Sequence, residues 1–292
     1  MKRIQEDLKL KDDKIEPPDV YPGATLANMN FRVAIIFWTK SPEKYVKTVV
    51  TNVKEDLDRS GKRFPLKCVT PLLRNYAPWL EDFPKMTTDG VKRYQELIGQ
   101  LRWAVDIGSL EILLETSMLL IYLATTWVGH LKQAFHIFGY LKAHPKRKLG
   151  FDPEHPIINE NKFQKCERVE FYRDPDEATP GNMTAARGKF MSIHCFVDVN
   201  HAGDTDTRQS QTGILLFFNS APIIWFSKRQ NSFDASTFES EFTATNNAVE
   251  IIEALQYKLH MFGFPIDGST NIFYDNGAVC VSTTRPESTL SK

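Results

Sequence analysis

The chain has 292 residues, of which 42% are hydrophobic and 25% charged, a composition that excludes a disordered chain and allows one large or two ordinary globular domains. Lys and Arg number 36, as do Asp and Glu, so any nucleic-acid surface requires local clustering of charge. The N-terminal run MKRIQEDLKLKDDKIEPPDV lacks the apolar core of a signal peptide, and no apolar window is long enough to span a bilayer. We therefore expect an intracellular protein, cytoplasmic or nuclear, that is not secreted and has no membrane partner.

The first 58 residues predict a hairpin followed by a helix. Asp12 and Asp13 lie between lysines, so we interpret this acidic pair as solvated surface and expect no polymerase active site in the chain. Two strands between residues 21 and 38 flank a predicted turn at Asn28–Asn30. Ser41 is the predicted cap of a helix with Pro42 at its first position. The apolar stripe of that helix is formed by Tyr45, Val46, Val49, Val50, Val53 and Leu57.

A proline-rich connector at residues 59–88 precedes three predicted helices. They span Val91–Val105, Leu110–Thr125 and His130–Lys142. We interpret His130 and His136 as core or surface residues, because no cysteine or carboxylate lies at metal-ligand spacing from them. The cations of LKAHPKRKLG suit the end of a helix, and phosphate contact is the alternative interpretation. Residues 151–188 lack periodicity and predict a linker.

The C-terminal third predicts a sheet whose strands end on acidic residues. An apolar strand ends on Asp198, a polar turn follows, and ILLFF after Gly213 predicts the second strand of a hairpin. A third strand includes Trp225, which we expect in the core rather than stacked on a base. The segment Asp234–Phe262 predicts one long helix with Glu239 and Glu241 in its first turns. Its predicted apolar stripe is Phe238, Phe242, Val249, Ile252, Leu255 and Leu259.

A last predicted strand, NIFYDNGAVC, ends on Asp275. Asp198, Glu241 and Asp275 thus come from three elements that a mixed sheet and its helix bring together. Carboxylates so arranged hold two hard divalent cations about 4 Å apart, which activate a water and stabilise the leaving oxygen of a phosphodiester. Each acid alone is an ordinary solvated strand or helix end. The order of the three indicates a metal-dependent hydrolase.

Four runs of the chain, VDVNHAGDTDTRQSQTGIL, APIIWFSKRQ, ASTFESEFTA and FYDNGAV, resemble the ribonuclease H domain of copia-type retrotransposon polyproteins. By this resemblance Asp198, Glu241 and Asp275 match the catalytic, metal-binding acids of the family. The fold implied is α/β (α+β), with a ribonuclease H-like mixed sheet and helices at 189–292. YQELIGQLRW and HIFGYLK resemble the thumb and connection region of the copia reverse transcriptase, which implies a mainly helical region at 1–150 that begins at the end of the palm.

The implied activity is hydrolysis of the RNA strand of RNA/DNA hybrids by an endonuclease with Mg²⁺ or Mn²⁺ as cofactor. The implied partners are the hybrid and the remainder of a reverse transcriptase. Backbone contacts to the hybrid are expected from the cations and hydroxyls of the sheet: Arg208, Ser210, Thr212, Lys228 and Arg229. The alternative is a catalytically inactive remnant of a retroelement that binds nucleic acid weakly or not at all.

Two departures from the family pattern bear on this choice. Glu239 replaces a small residue and is expected to add charge beside the site. In the family the run PESTLSK continues into a strand and a helix that brings a fourth metal-site residue, whereas this sequence ends at Lys292. The resemblance therefore implies a domain without its last strand and helix, and an impaired second cation site. An integrase of the same fold is disfavoured because its Glu follows the second Asp. The four cysteines form no Cys-x-x-Cys pair and are expected to be reduced.

Overall fold

The computed structural model describes residues 20–21, 24–30, 36–74, 76–78, 84–159, 184–204, 207–266, 268 and 270–284. Asp12 and Asp13 lie outside these residues, as do Cys166, most of the predicted linker and the run PESTLSK. Among the residues described, no helix has the length and apolar character needed to cross a membrane.

The first sheet has four antiparallel strands that follow one another in chain order. They are β1 (Val20–Tyr21), β2 (Ala24–Asn30), β3 (Ile36–Ser41) and β4 (Leu149–Phe151). The predicted hairpin is therefore present. Its turn is not at Asn28–Asn30, because these residues pair with Ile36–Trp38 inside the ladder. The pairing of β4 with β3 returns the chain to this sheet after the helices.

The first half of the protein is mainly helical. Its helices are α1 (Glu43–Arg59), α2 (Thr88–Asp106), α3 (Leu113–Leu120) and α4 (Val128–Ala143), and a single 3-10 turn at Leu110–Ile112 precedes α3. The predicted stripe of α1 is buried at its four valines and at Leu57. It packs against fully buried residues of α2 and α4, among them Leu97, Leu101 and Phe138.

Every predicted helix differs from the observed one by at least one residue at its boundaries, and the differences at α1 and at the end of α3 have a visible hydrogen-bond context. Helix α1 begins at Glu43, one residue late, with Pro42 at the cap and the Glu43 amide donating to Ser41 Oγ at 3.4 Å. The helix predicted to reach Thr125 ends at Leu120. Beyond the end of this helix, the Met86 amide donates to the Thr126 carbonyl at 3.0 Å.

The two histidines of α4 are core residues with backbone partners, as predicted. Nε2 of His130 lies 2.9 Å from the Pro78 carbonyl oxygen, and Nδ1 of His136 lies 3.0 Å from that of Pro71. Both side chains are buried. Cys68 and Cys195 are free thiols, whereas Cys280 is disulfide-bonded, so the prediction of a reduced thiol is wrong at Cys280.

The second sheet is mixed. Its strands are β5 (Ile193–Asn200), β6 (Gln211–Phe218), β7 (Ala221–Arg229) and β8 (Asn271–Phe273), in the spatial order β7-β6-β5-β8. Strands β5, β6 and β7 are antiparallel, while β8 is parallel to β5. Helix α5 (Thr237–Met261) connects β7 to β8, and the short helix α6 (Gly277–Thr284) follows β8. The fold is therefore α/β with a mixed sheet, as predicted.

One face of this sheet carries α5 and the other meets the helical half. Ile193, Cys195 and Val197 of β5 pack against Ala244, Ala248 and Ile252 of α5. On the opposite face, Trp225 of β7 packs against the core of the helical half, and its Nε1 donates to the Val105 carbonyl at 3.1 Å. Trp225 is thus a packing residue, as predicted.

We expect replacement of Trp225 by Phe to lower the free energy of unfolding by about 1 kcal/mol, the usual net contribution of one buried hydrogen bond. The aromatic packing is retained, while the bond to Val105 is lost. Urea denaturation followed by circular dichroism measures the change. Trp103→Phe is the matched control, because Trp103 is 48% exposed and its substitution should leave the stability unchanged. Equal stability of the Trp225→Phe and Trp103→Phe variants would contradict this contact.

Candidate active site

The register of two parallel strands brings Asp198 and Asp275 to the same end of the sheet. Phe196 of β5 pairs with Phe273 of β8. Asp198 and Asp275 each follow two residues later, so both come from the same level of adjacent chain segments. Both aspartates are exposed to solvent. The sheet therefore supplies two of the three predicted carboxylates at one rim.

The third carboxylate comes from the buried stripe of α5. Glu241 lies three residues before Ala244 and seven before Ala248, a spacing that places all three on one side of a helix. Ala244 and Ala248 are fully buried against β5, and Glu241 is only 4% exposed. The small alanine side chains allow α5 to approach the sheet closely. This approach buries the Glu241 carboxylate.

This stripe differs from the predicted one in the first turns of the helix. Phe242 is 45% exposed, and its ring stacks on that of Phe238 with centroids 6.0 Å apart. Ile252, Leu255 and Leu259 do pack into the core, as predicted. The prediction was wrong for Phe242, whereas Phe238 and Val249 are half-buried outside the core cluster. Hydrophobicity alone does not identify the buried positions here, because the close approach of the helix requires small residues.

The Glu241 carboxylate is electrostatically coupled to both aspartates. Burial raises the pKa of Glu241 from its ordinary value of 4.5 to about 7, with further upward contributions from the like charges of Asp275 and Asp198. Its Oε2 atom is buried and has no hydrogen-bond partner. A buried, unpaired carboxylate oxygen beside two further carboxylates is a free-energy cost that a cation or a proton relieves.

The arrangement fits a hard divalent cation in its donor chemistry, because all three groups offer carboxylate oxygens. The side chains do not form a closed ligand set. Among the parts of the chain that the structure describes, no group of three or more His, Cys, Asp and Glu residues lies close enough together to hold a metal ion. The three acids are therefore coupled through the electrostatic field of the site, and their assignment as metal ligands remains a prediction.

The Glu239 carboxylate takes part in the cap of α5. Its Oε2 accepts from the Ala235 amide at 2.7 Å, and the Glu239 amide donates in return to Ser236 Oγ at 3.2 Å. Ser236 is the N-cap of α5. That the charge of Glu239 acts beside the site stays a prediction.

The predicted contacts for nucleic acid fall into two groups. Arg208 and Lys228 are exposed, and Arg229 is half-buried with its Nη1 atom 3.6 Å from Asp204 Oδ2. Ser210 and Thr212 are buried, at 0% and 2% exposure. Thr212 Oγ1 accepts from Gln230 Nε2 at 2.9 Å. Arg208 and Lys228 are thus accessible to a ligand, whereas the two hydroxyls face the interior.

Asp204, which was not among the predicted site residues, organises the turn after Asp198. Asp204 Oδ1 accepts from the Thr207 amide at 3.1 Å, and its carbonyl accepts from the Arg208 amide at 2.7 Å. Arg208 has a positive φ of 54°, so this bond fixes an otherwise disfavoured conformation. An Asp at the start of a polar turn is the sequence signal for this role.

We expect Glu241→Gln to stabilise the protein, without divalent cations and near pH 8, by about 1 to 3 kcal/mol, the cost of an unsatisfied buried polar group. The folded protein binds the Glu241 proton more tightly than the unfolded chain. The contribution of Glu241 to stability is therefore present in acid and is lost as the pH rises from 4.5 through about 7. Denaturant titrations from pH 5 to 8 should show this loss in the native protein and a smaller one in the variant. If the stabilities of the native protein and the Glu241→Gln variant depended on pH in the same way, this would contradict burial of the Glu241 carboxylate.

A separate prediction concerns the N-cap of α5. Ser236→Ala should lower the free energy of unfolding by about 1 kcal/mol, as is typical for loss of an N-cap. Glu239→Gln should have little effect, because the amide oxygen can still accept from the Ala235 amide. Thermal denaturation compares the two variants. A larger loss for Glu239→Gln than for Ser236→Ala would indicate that the negative charge itself is needed.

Over 90 residues, the chain is 29% identical to a retrovirus-related Pol polyprotein from transposon RE2 of Arabidopsis thaliana and 28% identical to the corresponding polyprotein from transposon RE1 of the same plant. Each match covers 31% of this chain and 6% of the polyprotein. No protein-family model and no solved structure matches the chain. The chain is thus similar to a small part of retrotransposon Pol polyproteins.

Proposed function

We propose that the chain derives from a retrotransposon polyprotein and carries a ribonuclease H-type site that hydrolyses the RNA strand of RNA/DNA hybrids. Asp198, Glu241 and Asp275 would hold Mg²⁺ or Mn²⁺. The observation that carries the proposal is the buried Glu241 carboxylate, with one unpaired oxygen and a pKa raised towards neutrality. The similarity to Pol polyproteins supports the same assignment.

The three carboxylates would have different tasks. A bound divalent cation supplies an activated water and stabilises the leaving oxygen of the phosphodiester. Asp198, on the strand between β6 and β8, would be one of the ligands that hold the cation. Glu241 would supply a buried carboxylate. Because water solvates this charge poorly, its interaction with a cation would be favoured over hydration. Asp275, exposed at the rim, lies on the side open to substrate.

Cation binding and proton release should be linked at this site. Glu241 has a pKa of about 7 without a cation, so near neutral pH part of the population carries a proton on this carboxylate. A cation must displace that proton, and its affinity therefore rises with pH in this range. The same linkage would make hydrolysis weak in acid.

Exposed cations on the sheet would contact the phosphates of the hybrid. Arg208 and Lys228 are exposed, whereas Arg229 forms an ion pair with Asp204. Each such contact adds affinity that depends on salt and not on sequence. The mainly helical half, which we assign to the thumb and connection region of a reverse transcriptase, would support the same duplex and contact the remainder of that enzyme.

A second candidate is a catalytically inactive retroelement remnant. One observation favours it: across the described residues, no acidic cluster is tight enough to hold a metal ion. In this alternative no cation offsets the repulsion among the three carboxylates, and the protein folds but has no catalytic activity. Cation binding separates the two candidates, because only the nuclease gains affinity from the coupled carboxylates.

The direct test is cleavage of a labelled RNA/DNA hybrid by the full chain in Mn²⁺, compared with the Asp198→Asn variant. We expect the substitution to lower the rate by more than about 100-fold, beyond the effect of residues that only support metal ligands. Asp58→Asn, which alters an exposed carboxylate of α1, is the matched control and should cleave like the native chain. Equal cleavage by the native and Asp198→Asn proteins would exclude the assigned site. Absence of cleavage in all three would favour the inactive remnant.

A further inference from the structure

A polar network lies directly behind the carboxylates and is buried between the sheet and the first turn of α5. Its members are His201, Ser210, Thr212, Gln230 and Ser240. His201 is half-buried, and the other four are at most 5% exposed. Most of their polar groups are hydrogen-bonded within the set, while Gln230 Oε1 is buried without a partner. We call this set the polar network.

The protons of the polar network can be assigned from its geometry. Ser240 Oγ donates its only proton to the Thr237 carbonyl at 2.9 Å, so it accepts at its contact with His201 Nδ1, 3.1 Å away. On this basis we assign the His201 proton to Nδ1. Ser210 Oγ accepts from the Ala202 amide at 3.1 Å and lies 3.5 Å from the same nitrogen. The ring thus bridges the turn and the helix as a hydrogen-bond donor.

Gln230 at the end of β7 closes the network from the other side. Its Nε2 atom donates to Thr212 Oγ1 and to the Ser240 carbonyl, both at 2.9 Å. Its amide donates to the Ser210 carbonyl at 2.8 Å. Both protons of the side-chain amide are therefore used. Strands β6 and β7 are joined in this way to the turn of α5 that precedes Glu241.

The turn that carries His201 is held tightly. Ala202 has a positive φ of 46°, so the chain reverses sharply directly after the histidine. A Cβ at Gly203 would lie 2.4 Å from Asn200 Nδ2, so a larger residue there would require the exposed Asn200 side chain to move. The sharp turn constrains the backbone that carries the His201 side chain.

We propose that His201 is a positioning residue that fixes the distance between Asp198 and Glu241 through Ser240. His201 follows Asp198 by three residues, and Ser240 directly precedes Glu241. The hydrogen bond between them therefore spans the two backbone segments that carry the carboxylates. Without it, the repulsion between Asp198 and Glu241 is opposed by fewer contacts. The proposal rests on the proposed function, because it assigns the network to the cation site.

The experiment measures Mn²⁺ affinity by calorimetry in the full-length protein and two histidine variants. Asn places an amide donor near the position of Nδ1, whereas Gln places it near Nε2. We expect His201→Gln to lower the affinity by about 10- to 100-fold, as is usual for residues that support metal ligands, and His201→Asn to restore most of it. Ser240→Ala should match His201→Gln, and the double variant should lose no more than either single one.

One control separates this role from general destabilisation. Thr87→Ala removes the cap of α2, where Thr87 Oγ1 accepts from the Gly90 amide at 3.3 Å, and should reduce thermal stability while leaving Mn²⁺ affinity unchanged. Native affinity in the His201→Gln variant would overturn the positioning role while leaving the proposed function in place. Native protein that binds no Mn²⁺ would overturn both.

Discussion

The burial of one carboxylate beside two others is the constraint on which the site depends. Glu241 lies on the face of α5 that contacts β5, where its Oε2 atom finds no donor. The like charges of Asp275 and Asp198 raise its pKa beyond the effect of burial. A stable fold does not need this arrangement, because an apolar residue in the same stripe would pack without cost. The carboxylate is therefore present although it lowers the stability of the fold. Such a cost is typical of functional sites.

The rest of the fold keeps these charges together. The parallel pairing of β8 with β5 brings Asp198 and Asp275 to one level, and small residues let α5 approach closely enough to bury the third acid. The polar network joins the turn after Asp198 to the turn before Glu241 through His201 and Ser240. On the other face, Trp225 links the sheet to the helical half. Each contact limits how far the carboxylates can move apart.

Much of this architecture follows from local pattern. The period of two in β5 and the spacing of valines in α1 predict their elements, because one face of each is buried. Hydrophobicity alone does not predict burial at the start of α5. Ala244 is buried there because its side chain is small, whereas Phe242 is exposed. Ser210 also resembled a ligand contact, since a polar turn residue is usually exposed, yet the structure buries it. The sequence does not reveal which polar groups, far apart in the chain, form hydrogen bonds with one another. These hydrogen bonds decide whether a hydroxyl faces the interior or the solvent.

The most direct test of the central claim is the pKa of Glu241, followed by carbon-13 NMR of its carboxyl group in metal-free protein. The native value should be about 7. Asp275→Asn and Asp198→Asn should each lower it, because each removes a like charge from the same site. Asp58→Asn on α1 should leave it unchanged. A Glu241 pKa that is identical in the native protein and in both aspartate variants would show that the three acids do not form one site.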